Sequence, residues 1–300
     1  MSLRAASSRK AKGELQARSD KNFIEWFVGF TDGDGSFSIC KCGKYYKLQF
    51  SLSQSYYNMR ILYFVKSKLG YGNVTKYEKT KMANFRISDR KVLAKIIFPI
   101  FDQFPLLTSK YFYYLRFKQA YQILEDSSLT TEEKNNKIEL LLKLPLPVDY
   151  TSPVINNLVP SISSYSEIDQ VITDHWLIGF VEAEGYFGII PARNYFNIEF
   201  ALTQKLDIIL LELIKRKLHI PGKIVNYPNS NVLKTKNKRV ILKIKDRFLG
   251  EFKGMKSLEF KLWSKALYYR ETNLEKVNKI YSIFIKLKTK FKSKPNKTLI

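Results

Sequence analysis

One stretch of this chain occurs twice, and that repetition limits the possible folds to those built from two copies of one unit. Residues 23–37, FIEWFVGFTDGDGSF, align without a gap on residues 173–187, TDHWLIGFVEAEGYF, at a constant offset of 150. The first three pairs differ. Thereafter Trp26 meets Trp176, Gly29 meets Gly179, Phe30 meets Phe180, Asp32 meets Glu182, Asp34 meets Glu184 and Gly35 meets Gly185. The register continues in Phe50-x-Leu52-x-Gln54 against Phe200-x-Leu202-x-Gln204, and then drifts as loops differ in length. Ile87-Ser88-Asp89-Arg90 resembles Ile244-Lys245-Asp246-Arg247, and Lys110 with Ala120 aligns on Lys256 with Ala266 at an offset of 146. Each half therefore carries the same series of elements.

Periodicity outlines that series. Phe23, Phe27 and Phe30 recur at helical spacing and predict a helix over about residues 22–32, ended by Gly35. Residues 36–41 and 46–54 alternate, with Leu48, Phe50 and Leu52 set against Lys47, Gln49, Ser51 and Ser53, as in a half-buried antiparallel pair. A helix over 57–69, strands near 73–77 and 83–88, and helices near 91–98 and 109–124 complete the first unit. The second repeats the order over about 174–271. An extra helix is expected over 131–144. The segment 146–172, with Pro147, Pro153, Pro160 and several Ser and Asn, reads as a linker between repeats spanning 21–145 and 173–300. Residues 1–20 hold few large apolar groups, lack the apolar run of a secretory signal, and are expected to be a disordered tail.

Charge narrows the partner. Fifty-one Lys and Arg against 27 Asp and Glu leave a net +24 at pH 7, which favours a polyanion. No run approaches the roughly 18 apolar residues of a spanning helix, so no membrane partner is expected. Cys40 and Cys42 have no second pair for a zinc site and are read as reduced thiols. A hydrophobic content of 45 % suits a buried core.

The repeated helices carry small residues four apart, Gly29 with Gly33 and Gly179 with Ala183, a spacing that lets two helix backbones approach closely. Packed side by side, they bring Asp34 and Glu184 together at one end. Two carboxylates within a basic surface repel phosphate unless a cation lies between them. Side-chain carboxylates and helix-end carbonyls suit Mg²⁺, whose shell substrate and water complete. That combination points to metal-assisted phosphodiester hydrolysis. A plain Asp-Gly helix stop is the competing reading, but it does not require an acid at the same place twice. An EF-hand is excluded, because its closing acid would fall at Gly43.

The segments Phe27-Val28-Gly29-Phe30-Thr31-Asp32-Gly33-Asp34-Gly35 and Leu177-Ile178-Gly179-Phe180-Val181-Glu182-Ala183-Glu184-Gly185 resemble the signature of the LAGLIDADG homing endonucleases and their RNA-maturase relatives, in the single-chain form. The resemblance covers residues 22–271. It implies an α+β fold of two pseudo-symmetric αββαββα repeats forming a saddle of antiparallel sheets over double-stranded DNA. It makes Asp34 and Glu184 metal ligands, adds the carbonyls of Gly33 and Ala183, and sets Gln54, Gln204, Lys110 and Lys256 beside the active centre. Two or three divalent ions, Mg²⁺ with Mn²⁺ or Ca²⁺ able to replace it for binding, are shared between the repeats. Thr31 and Gly33 stand where the signature has larger or more helix-favouring residues, and an Asp is paired with a Glu.

Polar strand faces and the basic residues Lys41, Lys44, Lys47, Lys79, Lys81, Arg86, Arg193, Lys234, Lys236 and Lys238 compose the expected reading surface, since an antiparallel ribbon fits the major groove. Two unlike repeats imply a long asymmetric target and a monomeric enzyme. Intron homing in a mitochondrion suits the family and the Tyr-, Phe-, Lys- and Asn-rich composition. The alternatives are a maturase that binds intron RNA and a metal-independent DNA-binding regulator.

Overall fold

The computed structural model of the protein describes residues 20–156 and 165–291. Helix α1 (residues 20–34) runs two residues further than its apolar spacing predicts, so Asp34 is its last residue. Phe27 and Phe30 lie fully inside and Trp26 nearly so. Burying each of these rings stabilises the fold by about 3 kcal/mol. Strands β1 (Gly35–Cys42) and β2 (Tyr45–Ser55), helix α2 (Met59–Leu69), and strands β3 (Asn73–Tyr77) and β4 (Met82–Ile87) follow.

The next helical run comprises α3 (Arg90–Val92), a π-helical turn (Leu93–Ile97) and α4 (Phe98–Gln103). Pro99 has no N–H to give the Lys95 carbonyl, which accounts for the widened turn before it. Then come α5 (Lys110–Glu125) and the expected extra helix, α6 (Thr131–Lys143). Thr130 and Glu133 start α6 with a full capping box.

The second half repeats the order in α9 (Asp174–Glu184), β5 (Gly185–Pro191), β6 (Phe196–Gln204), α10 (Ile208–Lys217), β7 (Val225–Tyr227), β8 (Ser230–Thr235), α11 (Lys238–Phe248) and α12 (Lys256–Tyr269), with α13 (Leu274–Phe291) after them. Each repeat forms one four-stranded antiparallel sheet, ordered β1-β2-β4-β3 and β5-β6-β8-β7. The alternation read in β2 is realised: Leu48, Phe50 and Leu52 are buried, while Ser36, Ser38, Gln49, Ser51 and Arg86 share the other face by register.

The sheets also correct one alignment. Ile87 ends β4 opposite Phe50, whereas Ile244 lies within α11. The true partner of Ile87 is Thr235, which ends β8 opposite Phe200. Likewise Asp89 caps α3 and Asn237 caps α11. Ile244-Lys245-Asp246-Arg247 is therefore a chance likeness inside an amphipathic helix.

The tail expected over 1–20 lies outside the described residues apart from Asp20, as do residues 157–164 of the expected linker. The described part of that linker holds two short helices, α7 (Pro153–Asn156) and α8 (Tyr165–Val171). It buries Ile155, Ile168 and Ile172, and Asp169 pairs with Lys217 of α10 at 2.5 Å. Among the described residues no helix is long and apolar enough to cross a membrane.

Candidate active site

The centre is built where α1 and α9 touch. A methyl group placed on Gly29 would overlap the carbonyl of Trp176, and one on Gly179 would overlap the carbonyl of Trp26. Glycine is thus required at both positions by backbone-to-backbone contact. One turn on, Gly33 lies against the Ala183 side chain and 3.2 Å separates its notional Cβ from Cγ of Glu184. The second acids of the two motifs therefore end up beside the same contact. Gly35 and Gly185 leave room for Thr31 and Val181 of the preceding turn. Neither has a positive φ, so space rather than a left-handed turn demands them.

Asp34 is held from the sheet. Gln54, at the end of β2, donates through Nε2 to Asp34 Oδ2 at 2.5 Å, and Asn58 donates to Gln54 Oε1 at 2.8 Å. Gln204 occupies the equivalent end of β6, opposite Asn231. Lys110 opens α5 and donates through Nζ to the carbonyls of Thr31 at 3.2 Å and Gly33 at 2.5 Å. Lys256 opens α12 and donates to the Gly185 carbonyl at 2.5 Å. All these groups except the Ala183 carbonyl and Gln204 are tied to the ends of α1 and α9 by explicit contacts.

The motifs' first acids have a role that sequence reasoning left unassigned. Asp32 is buried and accepts from Leu107 N, Thr108 N, Thr108 Oγ1 and Trp176 Nε1 at 2.6–3.0 Å. Burial pushes its carboxyl up to about 6, against the pull of those four donors. Glu182 accepts from Lys253 N and Gly254 N, both at 2.7 Å. Each first acid thus pins the loop that delivers Lys110 or Lys256. Retention of an acid at both positions was the available signal.

The second half-site holds a further charge cluster. Glu259, one turn along α12, meets Lys256 at 3.3 Å and Lys288 of α13 at 2.9 Å. Lys288 also donates to the Phe187 carbonyl at 2.9 Å. Burial raises the Glu259 pKa, but the two ammonium groups outweigh it and leave the carboxyl below its ordinary value. Position 113, the counterpart in the first repeat, is a tyrosine, so comparing the repeats could not reveal this cluster. A cavity of about 340 Å³ between the repeats is lined by Asp34, Gln54, Asn58, Ala183, Lys256 and Glu259.

The donors fit a hard divalent cation. They are oxygens throughout, and the Gly33 carbonyl already faces a cationic Lys110 ammonium at the negative end of α1. Among the described residues no three His, Cys, Asp or Glu side chains converge. The protein therefore offers an incomplete cage of the kind that water and phosphate complete.

The expected reading residues divide by position. Lys47 and Arg86 in the first sheet and Lys234 in the second lie on the polar faces by register. Lys44 is exposed in the β1–β2 turn, Lys79 and Lys81 between β3 and β4, Arg193 between β5 and β6, and Lys236 beyond β8, 3.6 Å from Glu199. Lys41 falls on the opposite face, paired with Glu139 of α6 at 2.6 Å, and Lys238 is held by Glu271 at 2.7 Å. Those two are directed towards the helices.

Duplicated αββαββα units whose two signature helices pack at the repeat interface, with the second acid of each beside that contact, define a single-chain, two-motif scaffold. The LAGLIDADG endonuclease profile matches residues 27–121 and 177–267. The chain belongs to the LAGLIDADG endonuclease family. It is 40 % identical over 285 residues to the probable intron-encoded endonuclease Cox1-I1b of Schizosaccharomyces pombe, covering 90 % of this chain and 70 % of that protein. It is 33 % identical to the uncharacterized mitochondrial protein RF1 of Saccharomyces cerevisiae, over 65 % of this chain and 38 % of that protein. The fold is that of I-SmaMI, solved bound to an uncleaved DNA target with calcium ions: TM-score 0.71 and 23 % identity, over 89 % of this chain and 97 % of that one.

Proposed function

We propose that this endonuclease acts as a monomer, laying the polar faces of its two sheets on a long asymmetric DNA duplex and cutting both strands by divalent-metal-dependent hydrolysis. The repeats assigned to 21–145 and 173–300, joined by 146–172, would each read one half-site. The observation that carries the reading is the meeting of Gly33 with Ala183 and Glu184. In this reading it sets the motifs' second acids beside one contact of a chain carrying +24, with Lys110 and Lys256 reaching backbone carbonyls at the ends of the same two helices.

In this reading Asp34 and Glu184 bind the cations, with the carbonyls of Gly33 and Ala183 beside them. Bound Mg²⁺, two or three ions in all, would supply Lewis-acid activation of water and stabilisation of the leaving oxygen. Mn²⁺ or Ca²⁺ is expected to support binding. Gln54 orients Asp34 by holding Oδ2. Lys110 and Lys256 place positive charge where charge develops on phosphate. Intron homing within a mitochondrion is supported by the relatives' names and by the composition.

The test is end-sequencing of fragments made with Mg²⁺ from a library of intron-free organellar genes, comparing wild type with an Asp34→Asn, Glu184→Gln double variant. Ends clustered at one locus and missing with the variant are expected. Absence of specific ends from wild type would overturn the reading and favour an RNA-binding role.

A further inference from the structure

Asn58 and Asp207 occupy the N-cap positions of equivalent helices, α2 and α10, yet neither side chain caps its own helix. Asn and Asp are among the best N-cap residues, so leaving both unused locally forgoes an interaction that helices ordinarily exploit. Both side chains instead cross to the other repeat. Asn58 Oδ1 accepts from Met255 N at 2.7 Å. Asp207 Oδ1 accepts from Ser109 N at 2.6 Å, and its Oδ2 accepts from Ser109 Oγ at 3.2 Å.

The recipients are the residues just before Lys256 and Lys110, the first residues of α12 and α5. Neither Met255 nor Ser109 makes a side-chain cap for its own helix. Gly254 leaves the first crossing room, since a Cβ there would press on Asn58 Oδ1 at 2.5 Å and the amide would have to shift. Asn58 also continues through Gln54 to Asp34, and the Lys110 ammonium acts on the Asp207 carboxylate through space.

We infer that Asn58 and Asp207 are positioning residues that wire the two half-sites crosswise: each repeat sets the backbone that carries the other repeat's active-site lysine. The inference rests on the proposed function only in taking Lys110 and Lys256 as parts of the centre. Its physical basis is a partly buried amide with one strong acceptor, whose removal frees the first turn of the helix behind it.

Two measurements decide it. The first is amide hydrogen exchange in the metal-free protein, with thermal unfolding as a check on folding. Asp207→Ala is expected to speed exchange at Ser109 about tenfold while sparing Met255, and Asn58→Ala to do the reverse. Where alanine at 207 does not fold, Asp207→Asn serves. It keeps the oxygen for Ser109 N, loses the one for Ser109 Oγ, and is expected to give a smaller change at the same place. Faster exchange confined to the mutated residue's own repeat, or equal in both, or in neither, overturns the inference.

The second is strand-resolved nicking of an end-labelled target. Asp207→Ala should slow the strand that Lys110→Met slows; Asn58→Ala is left to the exchange measurement, because Asn58 also holds Gln54 beside Asp34. The opposite pairing, or equal slowing of both strands, refutes the crossing. If wild type cuts nothing, the proposed function fails, while the exchange measurement still decides the crossing.

Discussion

The indole N–H of Trp176, in the second repeat, donates to Oδ2 of Asp32, in the first, at 2.9 Å. The symmetry-related Trp26 indole is buried without a hydrogen-bond partner. The repeats are therefore joined by a polar contact that their internal symmetry does not duplicate. It falls on the acid that pins the loop before Lys110.

That acid sets a pH dependence. Burial lifts the Asp32 carboxyl to about 6 in the folded state, so between its ordinary range and that value the folded chain binds a proton that the unfolded chain has released. Stability contributed by this group is fully present at acid pH and falls as pH rises to about 6, by about 3 kcal/mol in all. Asp32→Asn should remove the slope and also cost about 2 kcal/mol, because an amide cannot accept all four donors. Urea unfolding of both proteins at pH 4.5 and 7 measures the difference. An unchanged slope in the variant would show that Asp32 is not its source.

The glycines at the α1–α9 contact should be unforgiving. Gly29→Ala and Gly179→Ala each drive a methyl group into a backbone carbonyl that cannot rotate away. A destabilisation of about 3 kcal/mol is expected, the upper end of overpacking penalties. Gly43→Ala is a poor control because its φ is positive, so the change of an exposed serine, Ser127→Ala, serves instead. Urea midpoints within experimental error of wild type for either glycine variant would mean the helices do not meet there.

The sequence carried this much because duplication marks what each copy must keep. Gly29 and Gly179 recur because each meets the backbone of the other helix, and Lys110 and Lys256 recur at the first position of the helix whose preceding loop a buried first acid pins. Features that differ between copies were hidden for the same reason. Asn58 and Asp207 are unlike residues doing like work. Glu259 has a tyrosine as its counterpart, and Lys288 enters from a helix beyond the repeated series. Lys41 was misplaced for another reason: charge alone does not say which face of a strand a side chain takes, and its parity with Ile39 and Phe37 places it towards α6.

Glu259 should show the opposite pH behaviour to Asp32. Its pKa is lowered in the fold because Lys256 and Lys288 outweigh burial. The stability it contributes is present above the ordinary glutamate value and is lost as pH falls through the folded value. Glu259→Gln leaves two ammonium groups together and should cost about 2 kcal/mol at pH 7, discounted from a fully buried pair because both lysines are partly exposed. The loss should shrink as pH falls below the ordinary glutamate range. Thermal unfolding across that range tests it, and a loss independent of pH would assign the effect to packing.

DNA affinity should separate basic residues of equal charge by the face they occupy. Lys47, Arg86 and Lys234 lie on the polar faces of the sheets, while Lys41 and Lys238 are paired with Glu139 and Glu271 towards the helices. A lysine on phosphate releases a counterion when it binds, so its removal lowers the slope of log K against log salt by about 1. Lys47→Ala and Lys234→Ala are therefore expected to weaken binding at low salt and to flatten that slope. Arg86→Ala, if the side chain reaches a base edge, should instead relax specificity at one position at a cost of about 1–3 kcal/mol. Lys41→Ala and Lys238→Ala should leave the slope unchanged, since each removes a charge already neutralised by its partner. Fluorescence anisotropy titrations from 50 to 300 mM salt, roughly the range over which such contacts dominate, make the comparison. Equal loss from all of these variants would mean that overall charge, and not the polar sheet faces, holds the duplex.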